Sequence, residues 1–390
     1  MTGTPGAGRS FTTPPRPVDV AALFPELAPL ARTATRLHPR PGAPTAHDSS
    51  VGGPLLWPAD KPWPHCEEPH EKGATTVALS PDDIRLLRRN QAAITSRRHL
   101  GHPASLPTPD ELATSKRIRQ GRPWPEGPIP LLPVAQLYAR DVPLPTSPPG
   151  ADLLQVLWCP FDHPTHPRTV LRWRSAATVT DVLDTPPEPP AIKSQGYLPE
   201  PSLLAPEQVT EYPNFMELDK ELQQQLADPS RWQGAGAALD GSCSTAPEVF
   251  YRNCLSIAPG WKVGGWPFWG STDPLPRLCP ACSIEMDPLL TIATFEWDDD
   301  TRSWSPEAEQ ARPRPSAAET DSETQAVVDF FRAQGIAVHD RGRVGRTHAA
   351  PPVPDLAPRQ PTAVQIGRGG RQQLYICPLS SDHPHLELMQ

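Results

Sequence analysis

At 390 residues the chain is long enough for one large or two ordinary domains, each with its own core. Its apolar share is only 37 % and 56 residues are proline, which excludes long uninterrupted helices and broad central strands over most of its length. A net charge of −8 opposes indiscriminate attachment to nucleic acid or anionic membrane, and no run approaches the roughly 20 apolar residues of a membrane span.

Residues 1–20 read as a disordered lead-in, and Met1 to Pro17 carry no apolar stretch of the secretory type. With no export signal, the seven cysteines (Cys66, Cys159, Cys243, Cys254, Cys279, Cys282 and Cys377) point to a reducing, cytoplasmic setting and to packing or metal binding rather than structural disulfides.

Residues 21–175 form a first β-rich unit whose landmarks recur, in the same order, in a second unit at 251–390. Val51-Gly52-Gly53-Pro54-Leu55-Leu56-Trp57 is answered by Val263-Gly264-Gly265-Trp266-Pro267-Phe268-Trp269. Cys66 with His70 is answered by Cys279 with Cys282. A strand-like run starting at Pro130 is matched with one starting at Pro288, and the apolar strand ending at Cys159 with the one ending at Cys377. Asp-His-Pro follows both of these last cysteines. The implied fold is α+β: β-rich, internally duplicated antiparallel sheets related by a pseudo-two-fold, with inserted helices.

The first unit holds a helical hairpin within 71–129. Ser80-Pro81-Asp82-Asp83 and Thr108-Pro109-Asp110-Glu111 both combine an N-cap, a proline at N1 and acid in the first turn. Residues 176–250 form a connecting segment in which Asn214 caps a helix bearing Leu218, Leu222 and Leu226 on one face. The second unit has its insertion at 303–361, with an amphipathic helix around Val327, Val328, Phe330 and Phe331 ending near Gly335.

Cys279-Pro280-Ala281-Cys282 is the sharpest chemical signal, because two thiols three positions apart on a tight turn can face one ion. Cys377 with His383 or His385 completes a closed Cys3His set. The first unit offers Cys66, His70, Cys159 and His163, a Cys2His2 set. Thiolate and imidazole donors suit one or two structural zinc ions. Simple packing of buried cysteines is the competing reading, and Cys243 and Cys254 are taken that way. Redox use of the Cys-x-x-Cys is disfavoured, since Pro288 stops any following helix within two turns. Gly367-Arg368-Gly369-Gly370 precedes a strand rather than a helix, so it serves a close backbone approach rather than a phosphate.

Two surface features bear on partners. Arg85, Arg88, Arg89, Arg97, Arg98, Lys116, Arg117, Arg119 and Arg122 form a basic stripe on the hairpin, able to meet RNA or an acidic segment but more commonly a solvated helix face. Trp57, Trp63, Trp124 and Trp266 each precede proline and either line an apolar peptide groove or pack in the core. No nucleophile elbow, P-loop or His-Glu-x-x-His helix occurs, so no enzymatic activity is expected.

Ser50-Val51-Gly52-Gly53-Pro54, then Trp63-Pro64, then Leu131-Leu132-Pro133-Val134-Ala135-Gln136-Leu137 resembles the YwqG-like domain family. Gly264 to Cys282 followed by Leu289-Leu290 is similar to the programmed-cell-death-two-like proteins, regarded as chaperones of a ribosomal protein. Gly270-Ser271-Thr272 departs from the YwqG-like pattern, which often has glutamine there, and Cys66 and His70 are additions to it. The resemblance covers about half the chain, the two cores without the insertions, and implies a β-rich duplicated fold and non-catalytic protein binding. The expected function is therefore a zinc-stabilised, chaperone-like protein with a protein or peptide partner. The alternatives are a metal-dependent hydrolase using Asp162 or Asp382 as base and an immunity or toxin-neutralising protein.

Overall fold

The computed structural model describes residues 11–70, 77–99, 107–163, 165–232, 246–310 and 359–390. Its strands are, in chain order, β1 (Arg32–Arg36), β2 (Arg40–Pro41), β3 (Ser50–Val51), β4 (His65–Cys66), β5 (Ile129–Pro130), β6 (Leu132–Tyr138) and β7 (Leu153–Asp162). They continue with β8 (Pro167–Arg174), β9 (Ser202–Leu203), β10 (Glu207–Glu211), β11 (Lys262–Gly264), β12 (Asp287–Ala293), β13 (Arg371–Ile376) and β14 (Leu386–Met389). The helices are α1 (Val20–Leu23), α2 (Pro81–His99), α3 (Pro109–Arg119), α4 (Lys220–Ala227) and several shorter turns. The protein is mixed α+β, and every strand pairing is antiparallel.

One six-stranded sheet has the order β2-β9-β3-β6-β7-β8 and the other β10-β1-β11-β12-β13-β14. Exchanging β1 with β9, β2 with β10, β3 with β11, β6 with β12, β7 with β13 and β8 with β14 turns the first order into the second. The registers follow the same exchange. Val51 faces Ala135 as Val263 faces Leu290, and the ladders carry a bulge between Pro133 and Ala135 and between Pro288 and Leu290. That register makes Pro133, not Pro130, the partner in position of Pro288, three residues later than the sequence match put it. Both bulges directly follow a proline, which offers no N–H to the ladder.

Each sheet borrows a strand from the other half of the chain. β1 lies in the sheet of residues 262–389, and β9 lies in the sheet of residues 132–174. Residues 176–250, expected to be a connecting segment with a helix, also supply β9 and β10. The sheets share one apolar core, in which Val51, Val134, Leu154 and Trp158 meet Val263, Leu289, Ile292 and Leu374. A separate cluster joins Phe24 and Leu27 to Leu222, Leu226, Trp232 and Phe250.

The glycine pairs hold the loops that leave β3 and β11. Gly52 (φ +64) and Gly264 (φ +70) are left-handed, and a Cβ on Gly52 would lie 2.9 Å from Pro199. Buried glutamines then clamp the loop four residues on. The Leu56 N–H donates to Gln136 Oε1 (2.7 Å) and its carbonyl accepts from Gln155 Nε2 (3.0 Å). Gln373 alone does both for Phe268, at 2.8 and 2.9 Å. In the second sheet the buried Lys262 ammonium donates to both Glu211 oxygens at 2.7 Å, and the Ala258 and Trp266 amides complete that carboxylate's shell. A buried ion pair persists only with its remaining hydrogen bonds filled in this way. Gly265 makes room for it, since a Cβ there would stand 2.7 Å from Ala34 Cβ and nearer still to Glu211.

Both hairpin helices begin where their caps predict. Ser80 Oγ accepts from the Asp83 N–H, and Thr108 with Glu111 forms a full capping box. Asn214 instead caps the short turn Phe215–Glu217, and Asp219 caps α4, whose Leu222 and Leu226 are buried. Residues 11–17 are not free of the fold. Thr13 donates to Glu207 from its N–H and hydroxyl, and the Arg16 guanidinium reaches the Cys254 and Ser303 carbonyls. The expected helix at Val327–Gly335 lies outside the described residues, as does Cys243. Gly367–Gly370 does serve a close approach: the Arg371 and Gln390 backbones pair across it, and a Cβ on Gly370 would strike the Gln390 carbonyl.

Candidate metal centres

The two predicted Cys/His sets come together as two groups among the described residues, Cys66/His70/Cys159/His163 and Cys279/Cys282/Cys377/His383. In each group one donor atom per residue lies within 4.8 Å of every other. Equivalent strands deliver them. Cys159 stands three residues past Val156 on β7, and Cys377 three past Leu374 at the end of β13, where Val156 and Leu374 occupy the same register.

In the second group the knuckle is built by backbone hydrogen bonds. Cys279 N–H donates to the Ile284 carbonyl (2.8 Å), Ser283 N–H to the Cys279 carbonyl (2.8 Å), and Met286 N–H to the Arg277 carbonyl (2.7 Å). Ser283 takes the left-handed conformation, φ +59, that reverses the chain after Cys282. Cys282 Sγ lies 3.5 Å from Cys377 Sγ, and His383 Nδ1 lies 3.3 Å from Cys377 Sγ and 3.4 Å from Cys279 Sγ. His383, rather than His385, is thus the fourth member. His385 turns away to the Thr169 hydroxyl and Glu387.

In the first group Cys66 comes from β4, held against β5, and His70 follows it after a bend. Cys66 Sγ is 3.5 Å from His163 Nε2, and His70 Nε2 is 3.0 Å from Cys159 Sγ. Metal–ligand bonds of about 2.0–2.3 Å put tetrahedral donor atoms roughly 3.3–3.8 Å apart. Both groups are close to that spacing, so either can hold a metal ion. Glu68 stands behind His163, 3.6 Å from its outward Nδ1, and pairs with Arg168. That is where a carboxylate fixes the ring of a ligating histidine.

The electrostatics fit cation binding. Burial, then the adjacent Cys66 sulfur, pushes the Cys159 thiol far up. Burial lowers His70 and His163, keeping both imidazoles neutral and able to donate a lone pair. In the second group burial raises Cys279, but hydrogen bonds from the Ala281 and Cys282 amides and from the Cys282 and Cys377 side chains together bring the thiol down. The Leu379 and Ser380 amides, with His383, act likewise on Cys377. The Ile284 amide draws Cys282 down, but burial and the Cys377 and Cys279 sulfurs push it up. Sulfurs this close repel as thiolates, and a cation between them removes the conflict.

The other sequence candidates resolve differently. The basic stripe is largely paired within the chain: Arg85 with Asp82 and Glu188, Arg88 with Glu200, Arg97 with Glu111, and Arg117 and Arg122 with Asp83. The Arg98 side chain lies outside the described ones. Trp57 and Trp63 are buried against each other, centroids 5.0 Å apart, and Trp266 stacks under Arg32, so these tryptophans line no common groove. Cys254 packs in the helical cluster, as read. Both Asp162 oxygens are engaged, by Lys193 and the Tyr197 hydroxyl. Asp382 is exposed beside His383.

Sequence reading missed Glu68, whose only signal is its place two residues past Cys66. It also missed the apolar surface around the second group, formed by Leu275, Leu278, Ile284 and Leu379. Large apolar residues flanking a tight Cys-x-x-Cys turn, where polar ones suffice, were the available signal. No family model matches this chain, and no curated protein matches it either.

Proposed function

We propose that the chain is a non-catalytic, zinc-stabilised protein-binding or chaperone-like protein, in which an ion closes one end of each sheet. The closed donor sets carry this reading. Four protein ligands of the thiolate and imidazole type favour zinc over magnesium or calcium and leave no coordination position for a substrate. The described cysteines are all free thiols, in keeping with a reducing cytoplasm. The same reading takes the two halves as copies of one ancestral unit. Its support is the interchangeable strand orders, the shared bulge and the like placement of the two metal groups. The YwqG-like and programmed-cell-death-two-like motifs are consistent with that ancestry and with a protein partner.

Protein purified without added metal should contain about two zinc ions per chain, and Cys282→Ser should reduce this to about one while lowering the melting temperature sharply. Metal-free protein that melts identically with and without the substitution would end the proposal.

One observation favours a metal-dependent hydrolase: a cleft of about 490 Å³ beside His163, lined also by Glu68, Asp162, His166, Arg168 and Glu387. Against it, Asp162 is held by Lys193 and Tyr197 and is not placed to act as a base. Cobalt in place of zinc separates the two. A four-ligand visible spectrum indifferent to azide supports the closed site, and a spectrum that azide changes supports the hydrolase.

A further inference from the structure

The two metal groups sit at matching positions, but their surroundings differ in one respect. Phe161 stands two residues past Cys159, as Leu379 stands two past Cys377. Phe161 is fully buried, whereas Leu379 is 65 % exposed. Phe161 is covered by His70, ring centroids 5.2 Å apart, and by Trp124 at 4.6 Å, the latter carried by the segment Arg122-Pro123-Trp124-Pro125 after α3. Ala78 and Ile129 close the same cluster around Cys66 and Cys159. The second half has no such insertion between Gly265 and β12.

Its apolar residues remain outside instead. Leu275 (43 %), Leu278 (52 %) and Ile284 (41 %) flank the knuckle as Leu379 flanks Cys377, so four of the seven large exposed apolar side chains among the described residues lie within four positions of a cysteine of this one group. Such grouping marks an interaction surface, whereas scattered single residues do not. Asp273, Glu285, Asp287 and Asp382 stand exposed around them. Arg277, which is buried against Glu217 and Glu285, is the only lysine or arginine in 271–290 and 377–390. The surface is therefore apolar at its centre and acidic at its rim.

We propose that this face is the docking site for a segment of a partner protein that brings an aromatic or large aliphatic anchor flanked by lysine or arginine. The chain's own Trp124 supplies the template for the anchor, an aromatic ring laid over Phe161, the position equivalent to Leu379. The anchor fills the space above Leu379, and the flanking cations meet the acidic rim and set the orientation. This rests on the protein-binding reading above, and names the surface and the chemistry of the partner.

The test is selection of displayed random peptides on the full-length, zinc-loaded protein, with the double variant Leu278→Asp/Leu379→Asp as counter-selection. Both positions are exposed, so the variant should keep its metal content and melting temperature. We expect enriched peptides to carry Trp, Phe or Leu beside basic residues. A synthetic copy should bind the native chain about tenfold or more tighter than the variant and weaken as salt rises. Enrichment of peptides that bind the variant equally, of acidic peptides, or of none overturns the proposal. So does sedimentation showing a dimer that Leu379→Asp dissociates, since a second copy would then be the occupant. A measured metal-to-protein ratio separates the two failures. Metal in place without peptide binding removes the docking site alone, whereas absence of metal removes the zinc reading.

Discussion

Glu296 shows how far one buried group can set the pH response of this protein. Burial lifts its carboxyl to about 7, against the pull of Arg36, while Oε1 accepts from the Trp261 N–H and Oε2 has no partner among the described residues. An acid with a folded pKa above its unfolded value binds its proton more tightly in the fold. The stability it contributes is complete below about 4.5 and is lost as pH rises through 7. Glu296→Gln should therefore gain on the native chain between pH 5 and 8, by on the order of 2 kcal/mol in denaturant midpoints. Ser283 poses a conformational question instead. At φ +59 its backbone is left-handed, a conformation strained by any Cβ, and glycine relieves that strain. Ser283→Gly should stabilise the zinc-loaded protein by about 1 kcal/mol, and a β-branched residue there should cost at least as much.

Among the elements, those with strong local signals form where the sequence places them. The α2 and α3 starts need only their own caps and prolines, which satisfy the first turn's N–H groups whatever surrounds them. Asn214 had an equal local claim to begin a helix, but the chain there makes one short turn, and the Asp219 side chain takes the N-cap of α4 at 2.8 Å from the Leu222 N–H. Asp219→Ala should thus cost about 1 kcal/mol and expose the helical cluster to faster hydrogen exchange at Leu222. The knuckle is local as well. Its ligand spacing is written in four consecutive residues, whereas the ligands that complete it come from β13 and its following loop.

For the whole molecule, the exchange of β1 and β9 means that neither half owns a complete sheet. A chain divided near residue 186 should give fragments that are insoluble or unfolded alone, yet form a stable one-to-one complex when co-expressed. Circular dichroism of each fragment and of the pair checks this, and an independently folded N-terminal fragment would contradict it. The glycine pairs, the paired Cys-Pro strands and both ligand sets were visible in the sequence, since each is carried by residue type at short spacing. The borrowed strands were not. Arg32–Arg36 and Ser202–Leu203 carry too few apolar residues to say which sheet they join, and pairing choice is settled by backbone hydrogen bonds that no residue type encodes.

By itself, the sequence determined the class of fold, the starts of the two hairpin helices and which thiols and imidazoles could meet around an ion, because caps, proline, glycine and soft ligands act through their own chemistry. Only the tertiary structure decided that His383 rather than His385 joins its group, that Arg85, Arg88, Arg97, Arg117 and Arg122 of the basic stripe pair with internal carboxylates, and that Phe161 is covered while Leu379 is not. Those outcomes depend on which distant surfaces are pressed together, and burial is a property of the packed chain rather than of any stretch of it.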